Sequence, residues 1–374
     1  MIINRRNLLG GSAAAIGATM LPRVAFAAGG SGTKRLVFVL QRGAADGLGI
    51  IAPVGDPAYA GLRGALAEDY ADAPLIGGLF ALHPALQRSA EMYAGGEMMA
   101  IHAVASAYRD RSHFDGQNVL ESGGTRPYER KDGWLNRLVG MLPDASASGL
   151  AISQTIPLAL QGPHKAGSYA PSRLPDAADD YMRRIGQLYM GDERLHMLWE
   201  ESIATRAIAE SMDGGGDMRQ AADVGSLAAR MLSSKDGARI AMIETSGWDT
   251  HNGQRRRLAR ELGKLDTLIE ALKMGMGELW DDTLVIVATE FGRTASVNGT
   301  NGTDHGTASA TLLYGGSLGG GDVLGDWPGL KQSDLYEARD LRPTNALEDV
   351  IASTTASHFA LDPELTRRTL FPGR

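Results

Sequence analysis

The amino-acid sequence predicts an α/β protein built on a mostly parallel sheet flanked by helices. Three observations support this prediction: apolar runs recur along the chain, polar glycine-containing turns follow them, and a long amphipathic segment separates two of them. The 374 residues include 48 glycines, 43% hydrophobic and 22% charged residues. This composition is typical of a loop-rich enzyme and not of a helical bundle or a disordered chain.

Five apolar runs are candidate strands. They lie within residues 34–51, 98–105, 149–160, 238–247 and 282–292. The first run breaks into a glycine-containing turn, as the first strands of parallel sheets do. Between the last two runs, residues 253–280 carry leucines at helical spacing, namely Leu258, Leu262, Leu265, Leu268 and Leu272. A strand, a long helix and another strand predict a parallel crossover.

Residues 176–235 differ from the rest, because they are polar, rich in Ala, Arg, Met and Glu, and broken by "DGGGD". We interpret them as helices packed to one side of the sheet, which would form a cap and not a separate domain. The mature chain, residues 28–374, is then predicted to be a single α/β domain.

Residues 1–27 have the three parts of an export signal. Arg5 and Arg6 form the basic part, an apolar stretch follows, and "AFA" offers a small-residue cleavage site. The paired arginines predict twin-arginine export to the periplasm or medium, with that machinery as a partner. The alternatives are an ordinary secretory signal and a basic soluble N-terminus. The apolar stretch is too short and too rich in Gly and Ala to predict a stable membrane span.

Charge and cysteine content exclude several classes of partner and chemistry. Removing the three arginines of residues 1–27 changes the net charge from −7 to −10. An acidic surface argues against nucleic acid or anionic lipid as the main partner. The chain has no cysteine, and therefore no disulfide, thiolate nucleophile or thiolate-bound metal.

Acids and histidines follow several of the predicted strands, where open parallel sheets bind their ligands. Asp46 follows the first run, Asp249 and His251 the fourth, and Glu290 the fifth, with Asp304 and His305 beyond it. Each residue alone is more typical of a turn or of a hydrogen-bonded structural side chain. Their recurrence at one edge of one sheet favours a divalent metal site.

Ser112 and His113 follow the second run and lie near the N-terminus of a helix predicted to begin at residue 115, where backbone N–H groups favour an anion or alkoxide. Ser112 is a candidate nucleophile, and the alternative is a helix N-cap. His113 could be a metal ligand, a proton donor or a packing residue. Arg293, like Arg109 or Arg111, could bind an anionic ester, although each is also typical of an ordinary ion pair.

The candidate ligands are all oxygen and nitrogen donors, which suit Zn, Mn, Mg or Ca. One or two such ions could activate a serine hydroxyl and hold the oxygens of an in-line displacement.

Several short motifs occur in a recognisable order: "VLQRGAADGL", "RDRSHFDGQ", "GWLNR", "WDTHNGQ", "EFGRT", "GTDHG" and "RPT". In this order they resemble the secreted bacterial proteins of the domain of unknown function 1501 family, from about Arg35 to residue 373. That family is similar, more distantly, to the alkaline phosphatase and sulfatase superfamily, so the resemblance implies an alkaline-phosphatase-like fold.

The superfamily resemblance also implies roles for the site residues. Asp46 corresponds to an acid that holds one metal ion, and Ser112 to the nucleophile. Asp249 and His251 correspond to ligands of another ion, Glu290 to a ligand acid, and His305 to the late histidine, while Asp304 and His113 are alternative ligands.

Phe291 stands where the superfamily usually has a ligand histidine, and Asp249 and His251 are two residues apart instead of four. Two functions follow. The first is an exported metal-dependent hydrolase of phosphate or sulfate esters, acting on a small or polymeric anionic substrate. The second is a non-catalytic exported surface or polysaccharide-associated protein with a degraded site. A metal-free serine hydrolase is a third reading, but no G-x-S-x-G motif is present.

Overall fold

The computed structural model describes residues 34–143, 147–170, 179–210, 220–234 and 237–373. The predicted export signal therefore lies outside the described residues. Within them, no helix combines the length and apolar character that a bilayer crossing requires.

The described strands form a nine-stranded sheet and a small three-stranded sheet. The strands are β1 (Arg35–Gln41), β2 (Ile51–Ala52), β3 (Leu75–Ile76), β4 (Phe80–Leu82), β5 (Met98–Ala105), β6 (Gly149–Ala151), β7 (Ala166–Ser168), β8 (Ile240–Thr245), β9 (Thr283–Ala288), β10 (Ser309–Tyr314), β11 (Val323–Leu324) and β12 (Asn345–Ala346). The large sheet has the order β11-β5-β10-β9-β1-β8-β6-β7, with β12 also paired to β5. The small sheet has the order β2-β4-β3.

The large sheet is mostly parallel. Strands β9, β1, β8, β6 and β7 pair in parallel, as do β11 and β12 with β5. Strand β10 runs antiparallel to both of its neighbours, β9 and β5. The predicted mostly parallel α/β sheet is therefore confirmed.

Helices cover both faces of this sheet. They are α1 (Gly47–Ile50), α2 (Tyr59–Arg63), α3 (Gln87–Ala94), α4 (His113–Ser122), α5 (Trp134–Met141), α6 (Asp179–Tyr189), α7 (Glu193–Glu210), α8 (Ala221–Ser233), α9 (Gln254–Met276), α10 (Leu347–Phe359) and α11 (Pro363–Leu370). Along β1, Val37 and Val39 point into a core shared with α8 and α9, whereas Phe38 packs in a second core with α5, α10 and α11. Alternate strand residues point to opposite faces, so a strand covered on both faces is apolar throughout.

The predicted crossover is present. Strand β8, helix α9 and strand β9 follow one another, and both strands pair in parallel with β1. The predicted leucine stripe of α9, from Leu258 to Leu272, is buried in the first core. The apolar face of the helix thus covers the sheet, which is the usual source of helix stability in a folded protein.

The run at 149–160 and the predicted cap differ in how far the structure follows the sequence. In the run at 149–160, only Gly149–Ala151 is a strand, because the polar residues after Ile152 and then Pro157 end the sheet pairing. The segment predicted as a cap, residues 176–235, contains α6, α7 and α8. Of these, α8 packs against α9 and supplies Leu227 and Leu232 to the first core. The cap itself stays a prediction.

One edge of the large sheet collects the polar loops. The carboxyl ends of β1, β5, β8 and β9 share this edge because these strands run in the same direction. The antiparallel β10 starts at the same edge, so the loop that precedes it also lies there. The topology thereby brings together residues from four distant parts of the chain.

Candidate metal centre

Three histidines and one acid meet at this edge of the sheet. Asp249 and His251 follow β8, His305 precedes β10, and His113 is the first residue of α4, after β5. Single ligand atoms of His113, Asp249 and His305 lie within 4.8 Å of one another. His251 joins them, with its Nε2 3.1 Å from Asp249 Oδ1. We call these four residues the histidine cluster.

The Nε2 atoms of the three histidines are directed at the carboxylate of Asp249. His305 Nε2 lies 3.2 Å from Asp249 Oδ1 and 3.0 Å from His251 Nε2. His113 Nε2 lies 3.5 Å from Asp249 Oδ2. This last nitrogen is buried and has no hydrogen-bond partner within the described chain.

The Nδ1 atom of each histidine contacts an oxygen that can only accept a hydrogen bond. His113 Nδ1 lies 2.8 Å from Glu290 Oε1, and His251 Nδ1 lies 2.9 Å from Asp304 Oδ1. His305 Nδ1 lies 3.0 Å from the carbonyl oxygen of Arg111. In each neutral imidazole the proton is therefore on Nδ1, and Nε2 carries a lone pair.

Lone pairs that converge at such distances repel one another unless a cation lies between them. That cation is either a proton or a metal ion. Three imidazole Nε2 atoms and a carboxylate form a donor set suited to a divalent ion such as Zn or Mn. In metal sites, a histidine ligand usually donates a hydrogen bond from its other ring nitrogen to a carboxylate or carbonyl. The residues present thus fit a divalent ion.

Glu290, predicted as a ligand, contacts the Nδ1 atom of His113 and not the Nε2 atom that faces Asp249. It is completely buried, and its Oε1 accepts from the Gly43 N–H at 2.9 Å, from Gln117 at 3.1 Å and from His113. Burial alone would raise the pKa of Glu290, but the hydrogen bond from His113 leads the contacts that hold it below its ordinary value. The same hydrogen bond raises the pKa of His113.

Asp304, also predicted as a ligand, holds His251 in a similar way. Its Oδ1 accepts from His251 and, at 3.1 Å, from Asn298. The hydrogen bond from His251 is the main reason that the pKa of Asp304 is lowered. The carboxylates of Glu290 and Asp304 are therefore placed to orient two imidazoles.

Arg293, predicted to bind an anion, is buried and paired inside the protein. Its Nη1 lies 2.6 Å from Asp249 Oδ1, its Nε donates to the Thr303 hydroxyl at 3.2 Å, and its Nη2 donates to the Thr303 carbonyl. Burial would raise the pKa of Asp249, but the hydrogen bond and charge of Arg293 hold it low. Burial, followed by the nearby charges of His113 and Arg293, lowers the pKa of His305.

Asp46, predicted as a metal ligand, is paired with a buried arginine. Its carboxylate is buried, and Oδ2 accepts hydrogen bonds from Arg63 and Gln254. Arg63 is itself fully buried, so the pair neutralises two charges in the interior. Gln254 and Thr303 connect Asp46 to Arg293. The structure thus places Asp46 in an ion pair that hydrogen bonds link to the histidine cluster through Arg293, and Oδ1 has no partner within the described residues.

Ser112 lies at the N-cap position of α4 and is half-buried. Its side chain makes no capping hydrogen bond, so the hydroxyl is not used in the way that an N-cap serine normally is. Arg111, before it, offers its carbonyl to His305, and His113, after it, belongs to the histidine cluster. Ser112 is therefore flanked on both sides by residues in contact with the cluster.

Phe291 packs beside the cluster where the superfamily resemblance led us to expect an imidazole. Its ring stacks on His113 with centroids 5.1 Å apart, and lies 5.3 Å from the ring of His305. His113 from α4 supplies a nitrogen to the cluster, while Phe291 supplies an apolar wall.

Several residues that support the cluster were not predicted from the sequence. Gln117 follows His113 by four residues, a spacing that puts both on one face of α4 and could have identified it. Asn298 donates to Asp304 and to the His251 carbonyl, and it was not singled out in the sequence. Gly43, whose N–H donates to Glu290, lies in the predicted turn after β1.

A family model, "Protein of unknown function (DUF1501)", matches residues 103–369, which is more than half of the chain. The chain belongs to this family. No curated protein matches the sequence.

Solved structures with a similar arrangement have low sequence identity. The periplasmic domain of EcEptC from Escherichia coli, in complex with Zn, has a TM-score of 0.38 and 8% identity, over 79% of this chain and 77% of that one. Alkaline phosphatase from the Antarctic bacterium TAB5 has a TM-score of 0.35 and 12% identity, over 75% and 91%. An alkaline phosphatase superfamily protein from Vibrio parahaemolyticus has a TM-score of 0.34 and 13% identity, over 79% and 63%. Likeness at this level carries no conclusion about chemistry.

Proposed function

We propose that the protein is an exported metal-dependent hydrolase of phosphate or sulfate esters. The observation that carries this proposal is the convergence of three imidazole Nε2 lone pairs on the carboxylate of Asp249. The predicted export signal, residues 1–27, supports the location, and the superfamily resemblance of the sequence supports the type of reaction.

His113, His251, His305 and Asp249 are the residues that would hold the ion. A bound divalent ion would polarise an ester oxygen and lower the pKa of a hydroxyl group beside it. Glu290, Asp304 and the Arg111 carbonyl keep each imidazole in the tautomer and orientation that metal binding requires. Arg293 holds Asp249 ionised and in place.

Ser112 is the proposed nucleophile. Its hydroxyl attacks the phosphorus or sulfur atom, the ester alcohol leaves with a proton, and water then releases phosphate or sulfate and regenerates the serine. The N-terminus of α4 favours the negative charge that develops at this position. Because Arg293 is occupied by Asp249 and Thr303, we assign it a supporting role and not that of an anion clamp.

Metal analysis and turnover test the proposal together. Purified wild-type protein should contain roughly one divalent ion per chain or more, and should hydrolyse 4-nitrophenyl phosphate or sulfate. Ser112→Ala should abolish turnover while keeping the metal and the melting temperature. Ser333→Ala, at an exposed serine, is the matched control and should retain full activity. Metal-free protein, or equal activity in Ser112→Ala and Ser333→Ala, would contradict the proposal.

A further inference from the structure

A cleft of about 350 Å³ lies beside the histidine cluster. Its lining includes Arg42, Phe114, Gln117, Tyr128 and Glu244. Helix α4 is common to both sites: its first residue belongs to the cluster, and Gln117, one turn further on, lines the cleft and donates to Glu290. One turn advances about 5.4 Å along a helix, so a ligand of moderate size would span both sites.

Two large rings are exposed at this cleft. Phe114 is 81% exposed and Tyr128 is 66% exposed. A single exposed aromatic residue is ordinary, but two that line the same cleft form an apolar surface of the kind that binds ligands. This surface adjoins the polar floor of the cleft.

The backbone of Tyr128 is anchored to α4. Its backbone φ of 60° is in the left-handed region, which is unfavourable for a residue other than glycine. Asn118 Oδ1 accepts its N–H at 2.6 Å, and the neighbouring carboxylate of Asp115 raises the pKa of its hydroxyl group. Both residues lie in α4.

The floor of the cleft is a hydrogen-bonded polar network. Arg42 donates to Gln117 at 2.6 Å, to Glu121 at 2.8 Å and to Glu244 at 2.5 Å. One guanidinium faces two carboxyl groups, so the floor does not attract an anion. Glu244 is partly exposed, with 31% of its side chain accessible, and can accept hydrogen bonds from a ligand hydroxyl.

We infer that this cleft binds an uncharged sugar residue of the molecule that carries the ester. The C–H face of a pyranose ring stacks on aromatic rings such as Phe114 and Tyr128, and its hydroxyls pair with planar carboxylate and amide groups. The charged ester group would then reach the histidine cluster along α4. This inference rests on the proposed hydrolase function and specifies its substrate class as esters of carbohydrates.

Kinetics on paired substrates test the inference. The sugar substrates are the 6-phosphates and 6-sulfates of glucose, galactose, mannose and N-acetylglucosamine, and the reference substrates are methyl phosphate and methyl sulfate. Aryl esters are avoided because their leaving group can itself stack on Phe114. In the wild type, kcat/KM for at least one sugar ester should exceed that of the methyl ester by more than about tenfold.

The variants Phe114→Ala and Tyr128→Ala should each reduce this ratio roughly tenfold. Met274→Ala, at a residue that is 76% exposed and far along the chain in α9, is the matched control and should keep the ratio. An absent preference in the wild type, or a ratio unchanged in both aromatic variants, would overturn the inference.

Calorimetric titration with neutral glucose, galactose, mannose and N-acetylglucosamine oligosaccharides separates this inference from the proposed function. If no ester is hydrolysed, the proposed function fails. Oligosaccharide binding alone then tests whether the cleft is a sugar site. Oligosaccharide binding that Phe114→Ala and Tyr128→Ala weaken, and Met274→Ala does not, would support the cleft as a sugar site. The absence of binding to every oligosaccharide in that case would overturn it.

Discussion

The Nε2 atoms of His251 and His305 lie 3.0 Å apart, although each ring already donates its Nδ1 proton to an oxygen. Both Nε2 atoms also lie within 3.2 Å of the same carboxylate oxygen of Asp249. Arg293 already donates to that Asp249 oxygen, but the two facing Nε2 atoms both lack a proton, and a bound cation would relieve their repulsion.

The buried acid behind His113 should matter more for metal binding than the exposed acid behind His251. Glu290→Gln removes a fully buried charge, so we expect metal affinity to fall by about 10–100-fold. Asp304→Asn removes a carboxylate that is 53% exposed, where water compensates, and should cost less than about tenfold. Competition with a chromophoric chelator measures both affinities. An equal or larger loss in Asp304→Asn would refute this ranking.

Asp46 should stabilise the fold without binding the ion of the histidine cluster. Asp46→Asn leaves the buried Arg63 guanidinium without its partner, so unfolding free energy should fall by about 3–5 kcal/mol. Arg63→Met, which leaves the carboxylate unpaired, should have a similar cost. Denaturant unfolding and metal analysis of the folded variants measure the two effects. Loss of the metal from folded Asp46→Asn would restore Asp46 as a ligand.

Gly43 should be irreplaceable because of both its conformation and its neighbour. Its φ is 118°, and an added Cβ would lie 2.8 Å from the backbone nitrogen of Asp249. Gly43→Ala should therefore cost about 1–3 kcal/mol of stability and weaken metal binding, since Asp249 must move. Gly263→Ala, in the middle of α9 with nothing within 4 Å, should instead be stabilising by about 0.5–1 kcal/mol. Thermal unfolding of both variants measures the difference; unchanged stability in Gly43→Ala would refute the steric argument.

Stability should decrease in weak acid because of His102. Its Nε2 donates to the Ile51 carbonyl at 2.8 Å, its Nδ1 accepts from the Ala103 N–H, and burial lowers its pKa to about 4. The unfolded chain takes up a proton near the ordinary histidine pKa of about 6.5, whereas the folded protein does so only near pH 4. Stability contributed by the neutral ring is complete above about pH 6.5 and is lost as pH falls to about 4.

Chemical unfolding at several pH values measures this effect. His102→Gln should show a shallower loss of stability between about pH 6.5 and 4 than the wild type, because it removes one titrating group. An identical slope in the two proteins would show that His102 does not contribute.

Much of the fold could be predicted because the buried strands are continuous apolar runs. Residues 98–105 match β5, and the leucines of α9 point into the core as predicted. Strand β10 was not predicted, although its antiparallel direction explains why His305 lies with the other site residues. Nothing in its six residues distinguishes an antiparallel strand from a parallel one, so its direction could not be read from the sequence.

The candidate ligands could be predicted as a group but not sorted by position. Acids and histidines after strands share one edge, which the topology dictates. An acid at this edge could contact the ion itself or the Nδ1 atom of an imidazole that binds the ion. Which of the two occurs depends on side-chain directions, which the spacing of residues does not define. Glu290 and Asp304 contact the Nδ1 atoms of His113 and His251, an arrangement that the spacing alone could not predict. The carboxylate of Asp46 pairs with Arg63, which lies 17 residues away along the chain. No sequence motif identifies Arg63 as its partner.

The most direct test of the central claim is a crystal grown with zinc or manganese and measured at the absorption edge of that metal. We predict an anomalous peak within coordination distance, about 2.0–2.2 Å, of the Nε2 atoms of His113, His251 and His305 and of the Asp249 carboxylate. A crystal saturated with metal that shows no peak among these four residues, or a peak held by other side chains, would contradict the account.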